Sequence, residues 1–149
     1  MKKTVLILFF VPLVLFSQTT TKKTFDQKNS PLNKQIITSI KTDKTGLTWI
    51  GTLEGLFCFN GERWAKITTE NSKIPSNKVL SIEMKNQQVF IGTNNGLLVV
   101  NKNNWEIYNT SNSKIPSDKI RKVKIDKNNI VWLATSKGLV RYDKDFECV

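Results

Sequence analysis

The chain carries few residue types that could catalyse a reaction. None of its 149 residues is histidine, which removes the commonest general base, any Ser-His or Cys-His dyad and the usual zinc site. A pair of its 12 carboxylates could act as acid and base on a glycoside, but no run has the spacing of a calcium loop. Turn carboxylates are better explained by hydrogen bonds to their own backbone, and most carboxylates fall in turns, among them Asp43, Asp118, Asp126, Asp143 and Asp145. We therefore expect no catalytic residue, metal or cofactor.

One segment recurs three times along the chain. The sequence Trp-Ile-Gly-Thr-Leu-Glu-Gly-Leu at 49–56 returns with substitutions at 90–97 and again at 132–139, at intervals of 41 and 42 residues. Self-similarity at this period indicates a chain built from repeated supersecondary units. Such architectures usually provide surfaces for binding, so the repeat bears on function as well as on fold.

Each repeat divides into four short extended runs separated by turn residues. Four strands in about 42 residues form the unit of a β-propeller, and no stretch outside the N-terminal segment has a sustained helical period. We therefore predict an all-β fold of three antiparallel four-stranded blades, at about 34–75, 76–116 and 117–149, that make a partial propeller. The predicted strands are 36–42, 47–52, 56–59 and 64–68; 79–85, 89–93, 97–100 and 105–109; and 120–125, 130–135, 139–142 and a last one from 146.

Several recurring residues are predicted to serve folding. Gly55, Gly96 and Gly138 end the second-to-third turn, where a left-handed conformation suits glycine alone. One aromatic per blade lies in the second strand and one begins the fourth. We expect both sets to pack in the core or between blades, with a sugar-stacking platform as the alternative for the first set; they are Trp49, Phe90 and Trp132, then Trp64, Trp105 and Phe146.

The two cysteines occupy different places in the repeat. Cys58 aligns with Val99 and is predicted to be a small core residue, whereas Cys148 lies one residue from the end. An exported chain permits disulfides, but this placement does not favour an internal bridge. The sequence leaves two alternatives for Cys148, a free thiol or an intermolecular disulfide.

The order of landmarks resembles the two-component regulator propeller repeat. These landmarks are an Asp-containing turn, Trp-Ile-Gly-Thr, Gly-Leu, an aromatic and Asn-Ser-x-Ile-Pro, and they cover the chain from about residue 34 to its end. Departures are Phe90 for Trp, and Leu133 and Ala134 for Ile and Gly. The family forms exported sensor portions of hybrid histidine kinases, usually with many more repeats. The resemblance therefore implies a short or truncated binding module without a signalling output of its own.

A candidate ligand face follows from strand direction. Because strands alternate, the second-to-third turns and the blade-to-blade connections lie at the same end of the blades, and loops on a rigid scaffold often carry binding residues. In the family that the chain resembles, a comparable face near the propeller axis binds ligand, often an oligosaccharide. The predicted ligand-binding residues are polar or charged, as any solvated turn would also be: Glu54, Lys73, Asn94, Asn95, Lys114, Ser136 and Lys137.

The N-terminal segment has the pattern of a secretory signal peptide. Two lysines precede an apolar run that ends at Phe16, and Ser17 is a small residue at a plausible cleavage point. The run is too short for the roughly 20 residues of a spanning helix, so we expect no permanent membrane span after cleavage. Residues 1–17 are thus a predicted leader and 18–33 a linker. The protein is expected in the periplasm, at the cell surface or secreted.

The positive charge suggests the kind of partner. The net charge is +11, which favours acidic partners such as an anionic glycan, although lysines also simply solvate strand edges. Export argues against nucleic acid. The sequence therefore favours a non-enzymatic, ligand-binding sensor-type propeller, with an oligosaccharide or acidic glycan as ligand. The alternative is a structural or interaction propeller that associates with itself, with further blades or with a larger assembly.

Overall fold

The computed structural model describes residues 24–25, 28–142 and 146–148. The predicted leader and most of the predicted linker lie outside these residues, as do Asp143 and Asp145. Within the described part of the chain, no helix is long and apolar enough to cross a membrane. All the regular structure described is β-strand.

In the part of the chain that the structure describes, twelve strands form three antiparallel sheets of four, each built from consecutive strands. This confirms the predicted all-β fold and its four-stranded blades, and no predicted strand end is more than one residue from the observed one. The strands are β1 Ile37–Thr42, β2 Thr48–Thr52, β3 Leu56–Phe59 and β4 Trp64–Ile67 in blade 1; β5 Val79–Lys85, β6 Gln88–Thr93, β7 Gly96–Asn101 and β8 Asn104–Tyr108 in blade 2; and β9 Ile120–Ile125, β10 Val131–Thr135, β11 Gly138–Tyr142 and β12 Phe146–Cys148 in blade 3.

The recurring Thr and Gly close the turn between the second and third strands. The Thr52 hydroxyl donates to the Gly55 carbonyl at 2.8 Å and accepts the Glu54 N–H at 3.1 Å. Blades 2 and 3 repeat both bonds with Thr93 and Thr135. The three glycines have φ values from 119° to 146°, which side chains disfavour. Both residues are thus explained by the fold, as predicted.

The connection between blades is held by its own side chains. Asn71 accepts the Thr68 N–H through Oδ1 at 2.8 Å and donates through Nδ2 to the Lys66 carbonyl at 2.9 Å. Asn112 makes the same pair of bonds in the next connection. Ile74 and Ile115 then insert into the core, 3% and 2% exposed. The Asn-Ser-x-Ile-Pro motif therefore shapes the connection that leads from one blade to the next.

The blades pack face against face, with the first strand of each at the inner edge. One apolar cluster lies between blades 1 and 2, and another between blades 2 and 3. Glycine brings each pair of sheets together: a Cβ added at Gly51 would lie 2.7 Å from Val79 Cγ1, and one at Gly92 would lie 2.9 Å from Ile120 Cγ2. Burial of these apolar surfaces is the main force that holds the blades together.

Polar groups at the inner edge reinforce this packing. Ser39 Oγ accepts the Ile82 N–H of the next blade at 3.0 Å, and Ser81 Oγ accepts the Val123 N–H at 3.1 Å. Each serine therefore satisfies a backbone donor of the following blade, which would otherwise be buried without a partner.

One carboxylate links all three blades. Glu83 in β5 lies 2.9 Å from Lys41 Nζ of blade 1 and 3.1 Å from Lys124 Nζ of blade 3, and its side chain is 11% exposed. Burial raises the pKa of Glu83, but the hydrogen bonds and positive charges of the two lysines outweigh that effect and hold the pKa below its ordinary value.

We predict that Gly92→Ala destabilises the protein by roughly 1–3 kcal/mol, because the new methyl group must push β9 away from blade 2. The reverse exchange at the equivalent place in blade 3, Ala134→Gly, is the matched control. It should cost only about 0.5–1 kcal/mol through backbone entropy. Urea unfolding of both variants measures the difference, and an equal cost for the two would contradict this account of the close approach.

Glu83→Gln should lower the free energy of unfolding at pH 7 by roughly 1–3 kcal/mol, since two lysines lose their charged acceptor. A carboxylate whose pKa is lower in the folded state stabilises above its unfolded pKa, and this contribution is lost as pH falls through the folded pKa. The difference between wild type and variant should therefore shrink below about pH 4. Exposed Glu70→Gln is the control. Unfolding curves from pH 3 to 7 test this, and a difference that stays constant with pH would count against the ion pairs.

Candidate functional site

An open cleft of about 600 Å³ lies between blades 1 and 2. It is bordered by the β1–β2 turn of blade 1 and by the β5–β6 and β7–β8 turns of blade 2. Because strands alternate in direction, these turns lie at the end of the blades opposite the predicted ligand face. This cleft is therefore at the opposite end of the blades from the second-to-third turns, which carry five of the seven residues that the sequence singled out.

The cleft has an apolar floor and a polar rim. The two indoles of Trp49 and Trp105 take part in the floor, with Leu47, Val89 and Val100 beside them. The rim carries carboxylate, ammonium, hydroxyl and amide groups, from Asp43, Lys44, Thr45, Asn86, Gln87, Gln88 and Lys102. A concave apolar surface with a few polar groups around it is the usual form of a small-molecule site.

The cleft is open because of one side chain. At the place of Val100 in blade 2, blade 1 has Phe59 and blade 3 has Tyr142. Phe59 stacks on Trp64 with ring centroids 4.5 Å apart, and Tyr142 stacks on Phe146 at the same distance.

Between blades 2 and 3, Tyr142 also contacts Phe90, with centroids 6.3 Å apart, and thus fills the space that corresponds to the cleft. Valine is too small to do so between blades 1 and 2. The alignment of the three repeats alone would have shown this exception, but only the packing shows that it opens a cleft.

A second difference between the repeats lies at the rim of the cleft. Gly61 begins the β3–β4 turn of blade 1 with φ 97°, whereas the equivalent residue of blade 2 is Lys102 with φ 53°. A left-handed conformation costs a non-glycine residue about 1–2 kcal/mol. The rest of the fold does not explain why blade 2 has a lysine at this strained place.

The electrostatics of the rim centre on Asp43. Burial raises the pKa of Asp43, but hydrogen bonds from Thr45 and Leu47 outweigh it and hold the pKa below its ordinary value. The carboxylate is therefore charged at neutral pH. The Trp49 indole N–H faces this carboxylate but is buried without a well-formed hydrogen bond, whereas in blade 3 Trp132 Nε1 donates to Asp126 Oδ2 at 2.9 Å.

The structure places the predicted ligand residues at one end of the blades, as the topology requires. Five belong to the second-to-third turns, and Lys73 and Lys114 belong to the connections. Glu54 accepts a hydrogen bond from Gln35 at 2.8 Å, and Asn95 donates to the Pro75 carbonyl at 3.3 Å. Ser136 is hydrogen-bonded to Ser117. These side chains thus tie turns to connections.

Lys73 alone among the seven predicted residues lines one of the cavities described. A hollow of about 290 Å³ is formed by Ser72, Lys73, Asn103, Asn104 and Trp105. Trp105 belongs to both cavities, so Lys73 lies beside the cleft at the outer edge of blade 2. The other six predicted residues line neither of these two cavities, and their role in binding stays a prediction.

The groups that could do chemistry have structural roles. Asp43 and Asp126 accept backbone N–H groups in their turns at 2.8 to 3.1 Å, which confirms the interpretation of these carboxylates. Cys58 is buried and free, and burial, with the nearby charge of Asp43, raises the pKa of its thiol to about 12. Among the described residues no group of three or more His, Cys, Asp or Glu side chains could hold a metal.

The recurring aromatics also lie mainly in the core. Trp49 and Phe90 are 8% and 1% exposed, as predicted for packing residues. Trp49 in addition faces the cleft and Trp132 is only partly buried, so the alternative of a stacking platform stays open at these two positions. Trp105 is partly buried between the blades, where its ring borders both cavities.

Tyr142→Val should open a second cleft between blades 2 and 3 and cost roughly 2–4 kcal/mol, since Phe90 and Phe146 lose the ring packed on them. Val100→Tyr supplies a ring where space already exists, so its effect on the free energy of unfolding should lie within about 1 kcal/mol of wild type. Denaturant unfolding compares the pair. A cost above 2 kcal/mol for Val100→Tyr would show that the cleft is not free to accept the ring.

Comparison with known proteins identifies the fold. No protein-family model matches the sequence, and no curated protein sequence does so. Solved structures do match. An extracellular domain described as that of the hybrid two component system BT3049 from B. thetaiotaomicron superposes with a TM-score of 0.73 and 22% identity, over 89% of this chain and 19% of that chain.

Two other solved structures also resemble the chain. Virginiamycin B lyase from Staphylococcus aureus, solved as an inactive variant with quinupristin, has a TM-score of 0.59 and 15% identity over 77% of this chain and 40% of that one. YCF48 bound to a D1 peptide has a TM-score of 0.56 and 16% identity over 76% and 40%. The chain thus spans less than half of each of these three structures. Its fold is that of three blades of a β-propeller. An extracellular domain of a hybrid two-component system is among the solved structures that share this fold.

Proposed function

We propose that this protein is an exported, non-enzymatic, ligand-binding propeller module of the sensor type, and that it binds a carbohydrate in the cleft between blades 1 and 2. The observation that carries the proposal is the cleft itself, which is open only because blade 2 has Val100 where the other blades have a stacked aromatic ring. The fold shared with an extracellular domain of a two-component system and the leader-like N-terminal segment support export.

The chemistry of the cleft suits a sugar ring. The C–H face of a pyranose is apolar and packs against an indole, while its hydroxyls need donors and acceptors around the edge. Trp49 and Trp105 supply the apolar surface, and amides such as Asn86 and Gln88 supply both kinds of polar group.

The charge at the rim favours an acidic sugar. The rim has two ammonium groups, those of Lys44 and Lys102, and one carboxylate, that of Asp43. The whole chain has a net charge of +11. A uronic-acid carboxylate would pair with either ammonium group, and in this partly exposed site the pairing would add specificity more than affinity.

A ligand in the cleft would contact two blades at once. Since the cleft walls are turns of blades 1 and 2, binding would favour one spacing of these turns over others. A sensor can use such a preference to shift a conformational equilibrium, but only by the difference in affinity for the two states. Signal output would then depend on a partner or on further chain attached to the propeller.

The test is tryptophan fluorescence titration with two defined probes, an oligogalacturonate and a neutral cello-oligosaccharide of equal length. We expect the emission to change on addition of the oligogalacturonate, with weaker binding of the neutral probe. Val100→Tyr should abolish the response by filling the cleft, and Trp105→Ala should weaken the apparent affinity by at least tenfold. Trp64→Phe, which changes an indole outside the cleft, is the control and should leave the affinity unchanged.

A response that survives in Val100→Tyr would place binding elsewhere and overturn the site. In that case Lys114→Ala and Asn94→Ala test the opposite end of the blades, which the sequence favoured. No response to either probe would remove the carbohydrate from the proposal. Consumption of a probe, detected by chromatography, would contradict a non-enzymatic role.

A further inference from the structure

The two faces of each blade are not equivalent. We call the face that packs on the following blade the trailing face; in blade 1 it includes Ser39, Trp49, Gly51, Leu56 and Cys58. The opposite face, which receives the preceding blade, is the leading face; in blade 2 it includes Val79, Ile82, Ile91 and Leu98. Three blades in a row therefore leave a leading face open on blade 1 and a trailing face open on blade 3.

Three features of a trailing face allow the next blade to pack on it. A serine accepts an inner-strand N–H of that blade, as Ser39 and Ser81 do. A glycine leaves room for its first strand, since a Cβ at Gly51 or Gly92 would come within 3 Å of a side-chain carbon. A small uncharged side chain completes the apolar contact, and this residue is Cys58 in blade 1 and Val99 in blade 2.

Blade 3 has lost all three features. Strand pairing puts Lys122 at the place of the serine, Ala134 at that of the glycine and Arg141 at that of Val99. Lysine cannot accept a backbone N–H, the alanine methyl occupies the space into which the next strand would move, and arginine places a charge in what would be an apolar contact. The trailing aromatic and leucine are kept, as Trp132 and Leu139, but Leu139 is 41% exposed.

Blade 1 has kept a receiving surface on its other side. Ile37 and Ile40 are 53% and 61% exposed, whereas the residues at the same places in blade 2, Val79 and Ile82, are 0% and 1% exposed. The aromatic pair of this face is partly covered, because Phe25 packs edge-on against Phe59 and Trp64 with centroids 5.1 and 5.5 Å away. The two isoleucines at the inner edge remain open.

We infer that the three blades accept another blade on one side only: the leading face of blade 1 receives the trailing face of a further propeller blade, and blade 3 ends the array. The occupant is a blade that presents serine, glycine and a small apolar residue at the three places, because such a face sits on the equivalent residues twice within this molecule. A second copy of the chain cannot supply it, since the open trailing face of this chain is that of blade 3.

The experiment restores the missing features. In K122S/A134G/R141V, blade 3 regains serine, glycine and valine, so that its trailing face fits the leading face of blade 1 in another copy. Head-to-tail contacts of this kind close into rings or continue as filaments. Sedimentation velocity of the purified protein over a hundredfold range of concentration should show association of this variant, at least tenfold tighter than any association of the wild type. Addition of Ile40→Lys to the three substitutions should reverse it.

Wild-type protein with Leu139→Lys is the matched control and should have the same mass as the wild type at every concentration. The inference is overturned if Leu139→Lys dissociates a wild-type oligomer, because blade 3 would then already be a docking face. It is also overturned if the folded triple variant, checked by circular dichroism, keeps the wild-type mass throughout. Should the triple variant not fold, A134G/R141V removes both the methyl group and the charge that oppose the contact, and it is read in the same way against the same control.

Discussion

The close approach of neighbouring blades is the constraint on which the rest of this structure depends. At the inner edge the sheets approach so closely that one strand has to lack a Cβ, and Gly51 and Gly92 provide those places. Once the sheets are that close, the inner-strand N–H of the following blade has no access to water. The serine hydroxyls of Ser39 and Ser81 therefore have to accept it, because a buried donor without a partner costs about 1–3 kcal/mol.

The same close approach of the blades fixes the inner part of each interface, while the side chains of its outer part can vary. The backbones at each interface are fixed by glycine, serine and the Thr–Gly turns, so a change of side chain at the outer part of the interface is not absorbed by a shift of the sheets. Tyr142 fills that outer part between blades 2 and 3, while Val100 leaves it empty between blades 1 and 2. The cleft is thus a gap in the packing that remains because the backbones on either side are fixed. No separate binding loop is needed to form it.

The sequence was a good guide to folding, whereas its candidate ligand residues stay a prediction. Turn chemistry, alternation and the recurring landmarks predicted the strands to within one residue, because each of these is a local property of the chain. The seven candidate ligand residues were chosen by strand direction and side-chain polarity, and the structure finds them at the predicted end of the blades. Several of them are engaged in hydrogen bonds between turn and connection, and polarity alone could not distinguish that role from ligand binding.

What the sequence by itself determined is the unit: a four-stranded blade with its Thr–Gly turn and its Asn-Ser-x-Ile-Pro connection, repeated three times. These features follow from contacts between residues near in sequence. What only the tertiary structure decided is the relation between units. Val100 opens a cleft because of Trp49 in the preceding blade, and Gly92 is needed because of Ile120 in the following blade, which a Cβ at that position would meet. Both effects join residues from different blades, so their physical cause is absent from any single repeat.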